Sequence, residues 1–294
     1  LINPFISAYQ NKAMEQLEGQ IASAKIGMAR LSSPQLYWVL SKNDFTLDIN
    51  NTEYPKIVCL ANNPQKQQVF GAVLSLYVNR LIKLVNQKNR QKCSLIFDEF
   101  PTIFINGIDS LIATARSNKV ATCLGLQDFS QLKKDYGSDQ SSVIMNITGN
   151  ILSGQVTGET AKFLSERFGK IVQVKESVSI NRNDTSVSKS GQLDFAIPAS
   201  KISSLSSGEF VGMVADDPDQ KIKLKSFHSE IINDKEKLKS ETEKYSELPV
   251  IEKISQEMVL ENYYQIKRDI QQLIETEIEI LLNTPGKEFL FEEE

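Results

Sequence analysis

The spacing of apolar residues along the chain changes period near residue 56. Before it, Phe5, Ile6, Tyr9, Ala13, Leu17, Ile21, Ala24 and Met28 recur at helical spacing between Gln, Lys and Glu. That stripe predicts one long amphipathic helix over residues 4–30, with Pro4 near its start. Ser32-Ser33-Pro34 reads as a cap followed by proline at the first position of a short helix ending near Leu40. Residues 44–54 form a polar connection. From Lys56 onward short apolar runs alternate with helical stripes. Strands are predicted at 57–60, 92–97, 120–126, 150–155 and 170–176, with helices at 65–86, 108–117 and 159–168 and two helical pieces around Gly137. Strands separated by helices predict an α/β fold with a mainly parallel sheet. Residues 177–191 are polar and Ser/Asn-rich and predict a mobile loop or hairpin tip. A short helix opened by Pro198 and strands at 209–215 and 221–227, joined by Asp216-Asp217-Pro218-Asp219, follow. Beyond Ile232 the chain is highly charged, and 259–282 read as a strong helix stopped by Pro285-Gly286. Three regions result: a helical piece at 1–42, an α/β body at 43–230 and an acidic, largely helical tail at 231–294.

The stretch around which the body is organised is Lys92-Cys93-Ser94-Leu95-Ile96-Phe97-Asp98-Glu99-Phe100-Pro101. Consecutive apolar positions without polar alternation suit a strand buried on both faces. Ligands of parallel sheets sit at the carboxyl ends of the strands, where Asp98 and Glu99 fall. Two adjacent carboxylates there suit a nucleotide hydrolase, the first holding Mg²⁺ and the second polarising water. They equally suit the plain end of a strand entering a solvated loop.

Composition narrows the chemistry. No apolar run approaches the ~20 residues of a membrane span. The chain begins with Leu1 and carries no signal peptide, so it reads as an excerpt of a longer protein. Cys59, Cys93 and Cys123 lie singly in apolar runs, which predicts reduced, buried thiols rather than a disulfide framework or zinc site. The single histidine, His228, stands far from any nucleophile pattern. The net charge of −4 is unevenly spread. Residues 229–294 hold 17 acidic and 8 basic residues, a balance of −9, and residues 1–228 hold 20 and 25, a balance of +5. A mildly basic body suits a polyanion, and an acidic tail suits either a partner or plain solvation.

Two further polar positions fall on the same edge of the predicted sheet. Arg116, 17 residues after Glu99, ends the intervening helix, and Gln127 ends the next strand. An arginine there can clamp phosphates across a subunit boundary or form a surface ion pair. A glutamine there can sense phosphate and orient water, or cap a helix. The string Asp98-Glu99-Phe100-Pro101, Ala113-Thr114-Ala115-Arg116-Ser117-Asn118-Lys119, Gln127-Asp128, Gln131-Leu132 and Tyr136-Gly137 resembles the TraG/TraD-type coupling ATPases of conjugative type IV secretion, most strongly the branch in mobile elements of Bacteroides-like bacteria. The resemblance continues through Gly149-Asn150, Ser153-Gly154-Gln155, Thr160-Ala161-Lys162, Phe168-Gly169-Lys170 and Ser207-Gly208-Glu209-Phe210-Val211-Gly212, covering roughly residues 1–230.

The resemblance implies a RecA-like, P-loop-type motor domain, with residues 1–42 as the end of an inserted all-helical domain. It implies a membrane-anchored hexamer at the cytoplasmic face of the bacterial inner membrane, using ATP and Mg²⁺ to pass relaxase-bound single-stranded DNA toward the secretion channel proteins. By position, Asp98 matches the metal acid, Glu99 the catalytic glutamate, Arg116 the trans-acting arginine and Gln127 the motif-III glutamine. Nucleotide contact then falls to Asp98, Glu99 and Gln127. One departure stands out. The chain contains no G-x-x-x-x-G-K-[ST] loop to cradle phosphates. The expectation is a carboxy-terminal part of the motor that by itself neither binds nucleotide tightly nor hydrolyses it. Two alternatives stay open: a non-catalytic docking module recruiting a relaxase or channel component, and an unrelated P-loop-class ATPase such as a DNA-packaging motor. For DNA, Lys133, Lys134, Arg182, Lys189 and the 177–191 segment are candidate phosphate contacts, without the aromatic interleaving that base stacking needs.

Overall fold

A computed structural model describes the chain except residues 1, 30, 182–183, 217–220, 223–224, 248–252 and 285–294. The amino-terminal stripe forms two helices rather than one: α1 (Asn3–Gln10) and α2 (Met14–Ala29). Lys12, at φ 55°, lies in the left-handed region and breaks the ladder between them. α3 (Pro34–Leu40) starts as expected, with the Ser33 side chain accepting from Leu36 N–H at 3.3 Å. Residues 57–60 form no ladder, and Ile57 is 94% exposed, so the first predicted strand is absent. α4 (Gln67–Val85) follows a 3₁₀ turn at Pro64–Lys66. Next come β1 (Cys93–Phe97), α5 (Ile108–Ala115), β2 (Val120–Leu124), α6 (Phe129–Tyr136) and α7 (Ser138–Ile147). Then come β3 (Ile151–Ser153), α8 (Gly158–Phe168), β4 (Lys170–Asn181), β5 (Asp184–Phe195) and α9 (Ala199–Ser203). β6 (Glu209–Met213), β7 (Ser226–Glu230), α10 (Lys235–Thr242) and α11 (Gln256–Leu282) complete the chain.

Residues 47–246 form one compact unit, and residues 1–46 with 247–294 form another, so the last helix groups with the first three. Within the larger unit β1 and β2 pair in parallel, from Cys93 opposite Val120 to Phe97 opposite Leu124. The fourth and fifth predicted strands do not extend that ladder. β3 pairs antiparallel with β6, which pairs antiparallel with β7, and β4 forms a long hairpin with β5. Outside residues 182–183 the polar 177–191 stretch is the distal end of this hairpin, so the hairpin alternative holds and the mobile-loop one does not; Arg182 and the Asp217–Asp219 part of the expected turn lie outside the described residues.

The core gathers one face of β1, with Leu95 buried, against α4, α5, α6 and α7. The other face of the pair stays open: Ser94, Ile96, Ala121 and Cys123 are exposed, and Ile96 keeps 75% of its surface. The expectation of a strand buried on both faces thus holds for one face only. Cys59 and Cys123 are likewise exposed rather than buried. Cys93 is half-buried, and burial raises its thiol pKa against the opposing hydrogen bond to Asn50. A second core lies where α8 packs on β3, β6 and α9, centred on Leu164, Ile202 and Val211.

Candidate nucleotide-site edge

The carboxyl ends of β1 and β2 are tied by the backbone beyond the ladder. Gly125 N–H donates to Phe97 O at 2.8 Å, and Phe100 N–H donates to Gly125 O at 2.8 Å. These bonds fix the two intervening acids. Asp98 and Glu99 are both exposed, so neither carries the desolvation cost expected of a buried acid. Glu99 takes a left-handed backbone, φ 49° and ψ 49°, which bulky side chains seldom adopt. Its N–H points back to Asp98 Oδ1 at 3.1 Å. Gly125 faces this corner: a Cβ there would stand 3.3 Å from both Asp98 Oδ1 and Phe97 O.

The turn after the acids is anchored from below. Phe100 is fully buried and stacks on Tyr136 at 4.9 Å between ring centroids. The Tyr136 hydroxyl donates to Ile103 O at 2.8 Å and accepts from Ile105 N–H at 2.9 Å. Burial pushes the Tyr136 pKa up to about 12, against the opposing bond from Ile105 and with Asp135 adding to the rise. Tyr136 enters the sequence reading only as part of the family string. Its role as the clamp of the 100–105 turn depends on contacts 31 and 33 residues apart.

Gln127 reaches the acids from β2's exit. Its Nε2 donates to Glu99 Oε1 at 3.2 Å. Helix capping falls to the next residue: Asp128 is the N-cap of α6, accepting from Ser130 N–H at 2.7 Å and from Thr160 Oγ1 at 3.0 Å. Burial works to raise the Asp128 pKa, but the Ser130 and Thr160 hydrogen bonds outweigh it and the pKa is lowered. An acid immediately before a helical stripe is the sequence signal for that cap.

Arg116 lies elsewhere. It ends α5, is exposed, and lines a cavity of about 860 Å³ with Lys92, Cys93, Lys119 and Val120. Those residues mark the amino ends of β1 and β2, a strand length of roughly 16 Å from the acids. Among the described residues no ion pair or hydrogen bond engages its guanidinium. The structure therefore brings together Asp98, Glu99 and Gln127 and keeps Arg116 apart. Of the candidate DNA contacts, Lys133 is engaged by Glu159 at 3.6 Å and by the Phe129 ring.

The donor set bears on a metal. Among the described residues no cluster of three or more His, Cys, Asp or Glu forms a cage. Mg²⁺ needs none, since it takes one or two carboxylates and completes its shell with waters and phosphates. Exposed Asp98, with Gly125 leaving the space beside it clear, fits that requirement.

The sequence model of the family described as Type IV secretory system Conjugative DNA transfer matches residues 3–196. The chain belongs to this conjugative DNA-transfer family. Membership agrees with the TraG/TraD-type motif string. Solved structures with the same RecA-like α/β fold include the bacterial conjugative coupling protein TrwBΔN70 in a trigonal form with sulphate, at 12% identity and a TM-score of 0.57, covering 76% of this chain and 50% of that one. They also include the plasmid coupling protein TrwB with the GTP analogue GDPNP, at 13% identity and a TM-score of 0.56, covering 75% and 49%. TrwB with ADP and Mg²⁺ matches at 14% identity and a TM-score of 0.54, covering 70% and 48%. The chain thus spans about half the length of these structures. No curated protein sequence matches it. Among the described residues no helix of this family member is long and apolar enough to cross a membrane.

Proposed function

We propose that this chain is the carboxy-terminal part of the ATP-driven motor of a conjugative coupling protein, which delivers relaxase-bound single-stranded DNA to the type IV secretion channel at the cytoplasmic face of the inner membrane. The observation that carries the reading is the Gln127–Glu99 hydrogen bond beside Asp98, at the carboxyl edge of two parallel strands in a conjugative DNA-transfer protein. TrwB, which shares the fold, was solved with ADP and Mg²⁺.

In this reading Asp98 is the residue that would hold Mg²⁺. When bound, the metal neutralises charge on the phosphates. Glu99 polarises the attacking water. Its left-handed backbone turns the carboxylate out of the strand line, and Gln127 steadies Oε1 while leaving Oε2 to the water. The buried Phe100 and the Tyr136 clamp keep the pair from drifting. Arg116, on the far end of the same strands, serves the phosphates of an adjacent subunit in a hexamer. The phosphate cradle lies in other residues of the parent protein, because this sequence has no G-x-x-x-x-G-K-[ST] loop. By itself the chain therefore turns over no ATP. Residues 1–42 end an inserted helical domain.

ATP turnover, with and without single-stranded DNA, of this chain beside the P-loop-containing parent tests the reading. Turnover only in the parent, lost in Glu99→Gln, is expected. Turnover by the chain alone, or a parent hexamer indifferent to Glu99→Gln, overturns it and favours a docking module.

A further inference from the structure

α11 carries an apolar stripe that its own unit leaves uncovered from Lys267 onward. The helix spans 27 residues, about 40 Å at 1.5 Å per residue. Its first part leans on α3, where the Tyr263 and Tyr37 rings meet edge-on at 4.9 Å. From Lys267 to Ile280 every residue is exposed. Ile270, Ile274 and Ile278 keep 48%, 47% and 42% of their surface.

The stripe reads the same from either end. Tyr263, Ile266, Ile270, Ile274, Ile278 and Leu281 are spaced 3, 4, 4, 4 and 3 residues apart, centred on Gln272. Two antiparallel copies related by a two-fold axis need this symmetry, because each residue meets the one equally far beyond the axis. The mean step of 3.6 residues is that of a straight helix, so the stripe stays on one face. Ile266 would then meet Ile278 of the second copy, and Ile270 would meet Ile274. Ile266 also borders a cavity of about 850 Å³ walled by Met28, Leu31, Tyr37 and Leu40, which offers room for that incoming isoleucine.

The charges obey the same centre. Lys267 and Glu277 fall within the stripe, and each lies five residues from Gln272. Antiparallel pairing sets every Lys267 against the Glu277 of the second copy. Parallel pairing on a heptad seam through Ile266, Ile270 and Leu273 would bring Glu277 against its own copy. Gln265 pairs with Asp269 and Gln271 with Glu275 along the helix itself, and Lys267 lies over the Tyr263 ring of its own helix at 4.4 Å, a contact that leaves its charge unneutralised.

We propose that α11 is a self-association helix, on which a second copy of this chain docks antiparallel along the Tyr263–Leu281 stripe with its two-fold axis at Gln272. The contact is isologous and closes as a pair, unlike the head-to-tail contacts that build rings. Six seam positions per copy place it at the small, transient end of interfaces.

Sedimentation equilibrium of the full chain, with circular dichroism as a control on helicity, tests it. A monomer–dimer equilibrium is expected, abolished by Ile274→Glu with helicity intact. Lys267→Glu and Glu277→Lys should each weaken it roughly tenfold, and the double swap should restore it. A chain that stays monomeric to about 100 μM, a dimer indifferent to Ile274→Glu, or a double swap that fails to restore association overturns the proposal.

Discussion

Gln127 and Glu99, 28 residues apart, meet through a 3.2 Å hydrogen bond that joins the exits of the two parallel strands. The same corner leaves Asp98 exposed and confines helix capping to Asp128. Gln127 is thus free of the structural task that a glutamine before a helix could have had. Under the proposed motor function, Gln127→Ala in the P-loop-containing parent is expected to lower ATP turnover by roughly 10- to 100-fold, since an unsteadied Glu99 loses alignment. A coupled-enzyme assay, with melting temperature as the folding control, checks it. Unchanged turnover would leave the bond without a catalytic role.

Arg116 lies by the amino edge and Glu99 at the carboxyl edge of β1 and β2, which under the proposed hexameric motor predicts complementation between subunits. Full-length Arg116→Ala and Glu99→Gln proteins are each expected to be inactive, with losses of about 10³ or more for an arginine of this kind. Mixed hexamers should regain part of the activity, because intact acids in one subunit can meet an intact arginine from the next. Absence of any recovery across mixing ratios would argue against a trans role.

Tyr136 holds the turn below the acids through two hydrogen bonds to backbone groups. Tyr136→Phe leaves Ile103 O and Ile105 N–H without that partner and should cost about 1–3 kcal/mol in urea unfolding. The pH dependence follows from a folded pKa raised to about 12. Since the folded state holds the proton more tightly, the associated stability is complete below the ordinary tyrosine pKa of about 10 and is lost as pH rises toward about 12. Comparing wild type with Tyr136→Phe across that window should show the alkaline loss reduced in the variant.

Asp128 behaves in the opposite sense. Its pKa is lowered in the folded state, so its contribution is present above about 3.8 and fades as pH falls through the folded value. Asp128→Ala should cost about 1 kcal/mol at neutral pH through loss of the α6 cap. Denaturant midpoints of the two proteins should converge in acid.

Close backbone approach marks two glycines. A Cβ at Gly212 would stand 2.6 Å from Ile151 O and from the Phe227 ring, and at Gly125 it would stand 3.3 Å from Asp98 Oδ1. Gly212→Ala should destabilise by about 1–3 kcal/mol through overpacking. Gly125→Ala should melt closer to wild type yet impair turnover in the parent. Equal melting temperatures for wild type and Gly212→Ala would contradict the packing of β6 on β3 and β7.

The linear pattern by itself determined the acid-ended strand, the helix stripes of α4, α5 and α8, the Ser33 cap and the motif string of the family, because each is written within a few turns of chain. Tertiary structure alone decided the rest. The apolar run at 57–60 finds no ladder partner, and the run in β1 is covered on one face only, since local hydrophobicity does not say which neighbour is present. The strands at 150–155 and 170–176 pair antiparallel with β6 and β5, a choice of partner and direction that their own residues do not encode. The separation of Arg116 from Asp98, Glu99 and Gln127 also needed three dimensions. A helix joining two parallel strands returns the chain from their carboxyl edge to their amino edge, which places a residue at its far end a strand length away.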